Sequence, residues 1–208
     1  MSADRDAPLL GQYFDDEPGT PSDPVIIDVT LPDTAFTMET DRGVFSRGHL
    51  DTATSMLLRA DLPLPSTGQL LDLGCGSGAI ALTMARRSPD ATVWAVDVNT
   101  RALDLTMRNA ERNGVSNIRA VRPEQVPSDI AFSAIWSNPP IRIGKAALHE
   151  LLLRWLARLD GTAVLVVQKH LGADSLQHWL TSEGYRCERV SSKAGFRLLV
   201  VTPADQSP

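Results

Sequence analysis

Residues 69–87 read Gln-Leu-Leu-Asp-Leu, then Gly74-Cys-Gly-Ser-Gly78, then Ala-Ile-Ala-Leu-Thr-Met-Ala-Arg-Arg. A short apolar run, a glycine cluster and a segment with helical spacing leave one economical solution: a strand, a tight turn and a helix. A second apolar run at 92–98 precedes a predicted helix over 100–113 that ends at Asn113-Gly114, which completes a βαβ unit. Further strands are predicted at 117–121, 131–137 and 162–168. A helix over 146–159 is expected to stop at Asp160-Gly161. Another helix over 175–182 precedes strands at 186–190 and 196–201, joined through Lys193-Ala-Gly195. This alternation predicts an α/β fold: a mostly parallel, twisted sheet with helices on both faces and an antiparallel edge hairpin at its C-terminal end. Upstream, 25–30 and 35–40 read as edge strands, and 50–60 as a helix ending before Leu62-Pro-Leu-Pro.

With 208 residues, 43% of them hydrophobic, the chain suffices for one well-filled domain. Residues 1–24 carry Pro8, Pro18, Pro21 and Pro24 among Asp15, Asp16, Glu17 and Asp23, so a flexible lead-in is expected before a single domain over 25–208. The net charge of −5 conceals an asymmetry, because residues 1–41 hold ten acids and one base. Residues 42–208 keep 19 of the 20 bases and 15 of the 25 acids, a net +4 that admits a polyanionic partner. No apolar run approaches the roughly 20 residues of a membrane span, and the acidic start lacks the layout of a signal peptide, so a cytoplasmic location without a membrane partner is expected. Cys75 and Cys187 show no CxxC spacing. His49, His149, His170 and His178 show no ligand spacing, so no metal site is expected.

Ligands of such sheets bind over the carboxyl ends of the strands. Gly74, Gly76 and Gly78 lack Cβ atoms, which allows a tight turn and a close ligand, with backbone N–H groups expected to point outward at the helix start. Gly74-x-Gly76-x-x-Ala79 also satisfies the relaxed dinucleotide fingerprint, so the turn alone admits a nicotinamide cofactor. Two acids refine the choice. Asp97, closing the second strand, is placed to accept from both hydroxyls of a ribose. Asp72, before the turn, is awkward beside a pyrophosphate but suits a ligand carrying a sulfonium and an ammonium, which favours S-adenosylmethionine. Ser137-Asn138-Pro139-Pro140 follows the fourth strand over the same edge. Methylating an aromatic amine requires its nitrogen to rehybridise, and two acceptors facing the NH₂ assist this. Asn138 offers a side-chain oxygen and Pro139 a backbone carbonyl, while the prolines hold both ready.

These motifs, Asp72-Leu-Gly-Cys-Gly-Ser-Gly, Asp97 and Asn138-Pro-Pro-Ile141, resemble those of the Rossmann-like class I amino-methyltransferases. The stretches 41–51, 138–145 and 193–199 narrow the resemblance to the "methyltransferase small" family. That family includes the guanine-N2 methyltransferases of small-subunit ribosomal RNA, type C. The resemblance implies S-adenosylmethionine as cofactor and RNA, in the form of ribosomal RNA or the small ribosomal subunit, as partner. It places Asp72, Gly74 and Gly76 around the methionine part of the cofactor, with Cys75 and Gly78 in the same turn, Asp97 on the ribose and Val98 beside the adenine. Phe45 belongs to the segment closing over the cofactor. Asn138, Pro139, Pro140 and Ile141 form the loop that receives the amine, Asn138 bordering the cofactor too.

Two departures stand out. Ile141 occupies a position where relatives carry an aromatic that stacks on the base, and Glu124 stands where an Asp or Asn often meets the adenine. Phe45 or Trp136 remains to supply the stacking, although Trp136, lying in a strand, reads as core. Arg142 and Lys145, and more weakly Lys169 and Arg197, are the candidates for gripping RNA phosphates. Rival readings are a protein-glutamine methyltransferase, which uses the same acceptors, a nicotinamide oxidoreductase, and a non-catalytic RNA-binding protein.

Overall fold

The computed structural model describes residues 19–204; most of the acidic lead-in lies outside that range. A seven-stranded sheet dominates, built from β3 (Thr67–Leu73), β4 (Asp90–Val96), β5 (Ile118–Val121), β6 (Phe132–Ser137), β7 (Leu159–Gln168), β8 (Tyr185–Lys193) and β9 (Phe196–Pro203). Their spatial order is β5-β4-β3-β6-β7-β9-β8. The first five strands pair in parallel, and β9 runs antiparallel to both β7 and β8. Side chains alternate across each strand, so Leu70 faces one core and Leu71 the other. One face is covered by α1 (Thr52–Arg59), α2 (Ala79–Arg87) and α3 (Thr100–Arg112), the other by α4 (Lys145–Leu156) and α5 (Ala173–Ser182). Trp136 is fully buried, as its place in a strand implies.

Three local features differ from the sequence-based expectation. The strands β1 (Val25–Thr30) and β2 (Ala35–Thr40) pair only with each other and form no edge of the main sheet. Side chains of α3 take the place of a neighbouring strand: Asn109 accepts from the Glu39 N–H (2.7 Å) and donates to its carbonyl (2.8 Å), and Asn113 donates to the Thr37 carbonyl (2.8 Å). Residues 20–23 are strapped to the domain. Ser22 Oγ donates to Asp41 (2.6 Å), Arg101 donates to the Thr20 carbonyl (2.9 Å), and Asp23 pairs with Arg42 (3.0 Å) and Arg47 (2.5 Å).

The third difference is at Asp160-Gly161, which lies inside β7 instead of stopping α4. Phe132 pairs with Leu159 but Ala134 with Thr162, so Asp160 and Gly161 together oppose Ser133 in a bulge. Glycine is required there because a Cβ on Gly161 would stand 2.0 Å from the Ser133 carbonyl oxygen. Gly161→Ala is therefore expected to destabilise the domain by about 1–3 kcal/mol; a denaturant midpoint equal to that of the wild type would contradict the bulge.

Candidate active site

The strand order reverses between β3 and β6: β4 and β5 lie to one side, β7 and β9 to the other. Loops leaving β3 and β6 must diverge there, which opens a crevice at their carboxyl ends. A cavity of about 430 Å³ occupies it. Its lining includes Gly74, Cys75 and Gly76 after β3, Asp97 and Val98 after β4, and Asn138 to Ile141 after β6, together with Val44, Phe45, His49 and Leu50.

The glycine turn is closed upon itself. Gly74 and Cys75 both donate to the Val96 carbonyl (2.8 and 3.1 Å), Gly78 donates to the Cys75 carbonyl (2.8 Å), and Gly76 donates to Asp97 Oδ2 (2.9 Å). These four N–H groups do not point outward as expected, so they offer no phosphate cradle. Gly74 and Gly76 hold φ of 76° and 53°, and a Cβ on Gly74 would enter the gap 4.0 Å from Pro140. Gly78 does not line the cavity. At φ 87° it starts α2 against α3, where a Cβ would meet Thr106 Oγ1 at 2.8 Å, so its role is packing. Cys75 lines the cavity, but burial, followed by the charges of Asp97 and Asp72, pushes its thiol pKa well up; it is no nucleophile.

Asp72 departs from its expected ligand contact. It is fully buried beneath the turn, outside the cavity lining, and its Oδ2 accepts from Ala81 N–H (2.9 Å) in the first turn of α2. It thus supplies the cap that Gly78 cannot. Its Oδ1 has no partner. Burial pushes its pKa up to about 8; the Ala81 bond opposes the shift and the Asp97 charge adds to it. Asp97 does line the cavity, accepts from Asn99 N–H (3.0 Å) as well as Gly76, and is also raised by burial. No basic side chain pairs with either acid among the described residues. Two such carboxylates fit a cationic ligand and oppose a pyrophosphate.

On the other side of the crevice, Asn138 Nδ2 donates to Asp51 Oδ2 (3.0 Å) and to Thr54 Oγ1 (3.1 Å). Asp51 caps α1 by accepting from Thr54 N–H (2.9 Å). A carboxylate only accepts, so the Asn138 amide has one sense: its NH₂ faces Asp51 and its oxygen stays available as an acceptor. The Pro139 carbonyl accepts from Ile141 N–H (2.8 Å) and keeps a second lone pair. Asp51, the last residue of the 41–51 stretch, and Thr54 carry no role in the sequence analysis, although an Asp immediately ahead of a helix is a capping signal.

The remaining expected residues divide. Phe45 and Val98 line the cavity with 51% and 37% of their surface exposed, and Ile141 and Pro140 line it as well. Glu124 does not: it sits in an exposed 3₁₀ turn, bonded to Arg122 (2.8 Å), and Pro123 takes the cavity wall. Arg197 is no rim cation either. Its strand register turns it away from Phe196, inward, where it is buried and ion-paired with Asp174. Lys145 and Lys169 are exposed but outside the lining, and the Arg142 side chain lies outside the described ones. Gln168 and Phe196, absent from the sequence reading, do line the cavity. Among the described residues there is no cluster of three metal-ligating side chains, and no helix is long and apolar enough to cross a membrane.

The methyltransferase small domain model matches residues 35–200. The chain is 32% identical to the uncharacterized protein YbxB of Bacillus subtilis, over 90% of this chain and 96% of that one. It is 35% identical to the ribosomal RNA small subunit methyltransferase C of Aeromonas hydrophila, over 80% of this chain but 49% of the relative, so it spans about half that protein's length. Among solved structures it resembles the T. Thermophilus 16S rRNA N2 G1207 methyltransferase in complex with AdoMet and guanosine (25% identity, TM-score 0.75, covering 88% of this chain and 51% of that one).

The Asp72 carboxyl yields a pH prediction. Its folded pKa of about 8 lies above the 3.8 of an unperturbed aspartate. The folded state therefore holds a proton that the unfolded state releases, and stability falls as pH rises between these values. Asp72→Asn should flatten the melting temperature against pH across that window; an unchanged slope would show that Asp72 is ionised in the folded protein.

Proposed function

The chain belongs to the methyltransferase small domain family, whose enzymes use S-adenosylmethionine, and from this premise we propose that it methylates the exocyclic N2 amine of a guanine in small-subunit ribosomal RNA. The observation that carries the reading is the fixed sense of the Asn138 amide. An acceptor held by Asp51 and Thr54 stands beside the Pro139 carbonyl, and both oxygens suit a group with two N–H bonds. The likeness to a guanine-N2 enzyme that holds guanosine supports guanine over adenine.

The residues present fit the cofactor. Each Asp97 oxygen takes one backbone donor and retains lone pairs for ribose hydroxyls, and the Asp72 carboxyl beneath the turn, protonated in the free protein, is one that a nearby cationic group would draw toward ionisation. The exposed apolar surfaces of Val98 and Phe45 suit an adenine. When bound, S-adenosylmethionine supplies a methyl group made electrophilic by its sulfonium. Asn138 Oδ1 and the Pro139 carbonyl accept the two N–H bonds of the amine, which draws the nitrogen out of conjugation with the ring and leaves its lone pair free for attack. Transfer of that methyl group to the amine would leave a nitrogen acidic enough to give its proton to water, so no residue of this chain is needed as a base. This chain contributes mainly position and requires no nucleophile, in keeping with the protonated Cys75.

Labelled methyl transfer to total RNA, small ribosomal subunits and protein extract, followed by nucleoside digestion, tests the reading. N2-methylguanosine is the expected product. Label confined to protein, or to N6-methyladenosine, would overturn it. Asn138→Ala should lower kcat by about 100- to 1,000-fold, the usual loss for one oriented polar group at the reacting atoms. Asp51→Asn retains a good helix cap but no longer dictates the amide's sense. It should cost up to about 100-fold in kcat while leaving the affinity for S-adenosylmethionine unchanged.

A further inference from the structure

The crevice has two halves, assigned by strand order. The glycine turn, Asp97 and Pro123 stand over β3, β4 and β5, and Asn138 stands over β6 at the centre. The half over β7 and β9 has no part in holding the cofactor described above. Two of its side chains line the cavity: Gln168, the last residue of β7, and Phe196, the first of β9. They are directly paired across the antiparallel ladder, so both project from the same face of the sheet, the one that carries Val164, Val166 and Leu198 into the core beneath α1. Both are partly exposed. Phe196 packs against that core, and the Gln168 side-chain amide has no hydrogen-bond partner among the described residues.

We infer that Gln168 and Phe196 form the nucleobase subsite: Phe196 is the stacking platform that Ile141 cannot provide, and Gln168 reads the base edge next to the reacting amine. The inference rests on the guanine reading above. With N2 held by Asn138 and Pro139, the neighbouring atoms of guanine are the N1–H donor and the O6 acceptor. One glutamine amide matches both, its oxygen accepting from N1–H and its NH₂ donating to O6. An adenine presenting N6 to the same acceptors offers only the N1 acceptor and then a C–H, so the amide makes one hydrogen bond instead of two. Guanine is thus preferred by the hydrogen bond that adenine lacks. Lys169, adjacent to Gln168, and Lys193, paired with Phe196 at the β8–β9 turn, are exposed on either side of the subsite, where a polynucleotide backbone carrying the base would pass.

The test is steady-state methyl transfer to small ribosomal subunits, with digestion to nucleosides, for Gln168→Leu, Phe196→Leu and Phe196→Tyr. Calorimetric binding of S-adenosylmethionine to each variant serves as the control for folding. The wild type must first produce N2-methylguanosine; its failure to do so defeats the guanine reading, independently of the variants. Given that baseline, Gln168→Leu should lower kcat/KM for guanine by about 10- to 100-fold, the worth of one bidentate base contact. Phe196→Leu should raise KM for RNA by about tenfold, with Phe196→Tyr restoring it, because a ring and not mere apolar bulk is needed. Cofactor affinity should match the wild type throughout. Guanine transfer at wild-type kcat/KM by Gln168→Leu, a Phe196→Tyr variant as impaired as Phe196→Leu, or a loss of cofactor affinity as large as the loss of transfer would each overturn the subsite.

Discussion

Two acids with no basic partner among the described residues govern this molecule. Asp72 is sealed beneath the glycine turn with one oxygen unpaired, and Asp97 stands beside it, tied to two backbone N–H groups. Their burial is unfavourable in the free protein, as the raised pKa of each records. The same acids organise the turn: Asp72 starts α2 through Ala81, and Asp97 fixes Gly76. Burial thus disfavours the charged form of both acids in the element that shapes the cavity, and a cationic ligand would favour it. Selectivity against phosphorylated cofactors follows from this arrangement, because the turn has already committed four of its N–H groups internally.

The second organising fact is topological. Because the strand order reverses between β3 and β6, Asp97, which follows β4, and Asn138, which follows β6, stand on either side of β3 at one crevice. The stretch from Gly43 to Asp51 bridges the two sides. Asn99, at the start of α3, donates to the Gly43 carbonyl (2.7 Å), and Asp51 holds Asn138. The two sides of the crevice are thus linked by one continuous segment outside the main sheet.

The sheet, its helices and the antiparallel edge were legible in the sequence because apolar periodicity and glycine punctuation are local signals. The glycine turn, Asp97 and the Asn-Pro-Pro loop could be read for the same reason: chemistry and spacing coincide within a few residues. What could not be read was direction. Nothing local says that Arg197 turns inward to Asp174 while Phe196, one residue earlier, reaches the cavity; strand register decides it. The place of Asp72 beneath the turn, capping α2 and outside the cavity lining, is not legible either, because a cap and a ligand contact draw on the same residue type. A single residue of turn geometry puts Pro123 and not Glu124 at the cavity, and Gly161 carries the local signature of a helix stop although it marks the close approach of a neighbouring backbone.

The bond between Asp51 and Asn138 joins residues 87 positions apart. Closing a loop of that length carries an entropic cost that neither the glycine turn nor the proline loop meets within its own few residues. The sense of the amide is therefore a property of the assembled domain: the two local motifs can be intact in a sequence while the contact that orients Asn138 depends on how α1 is seated.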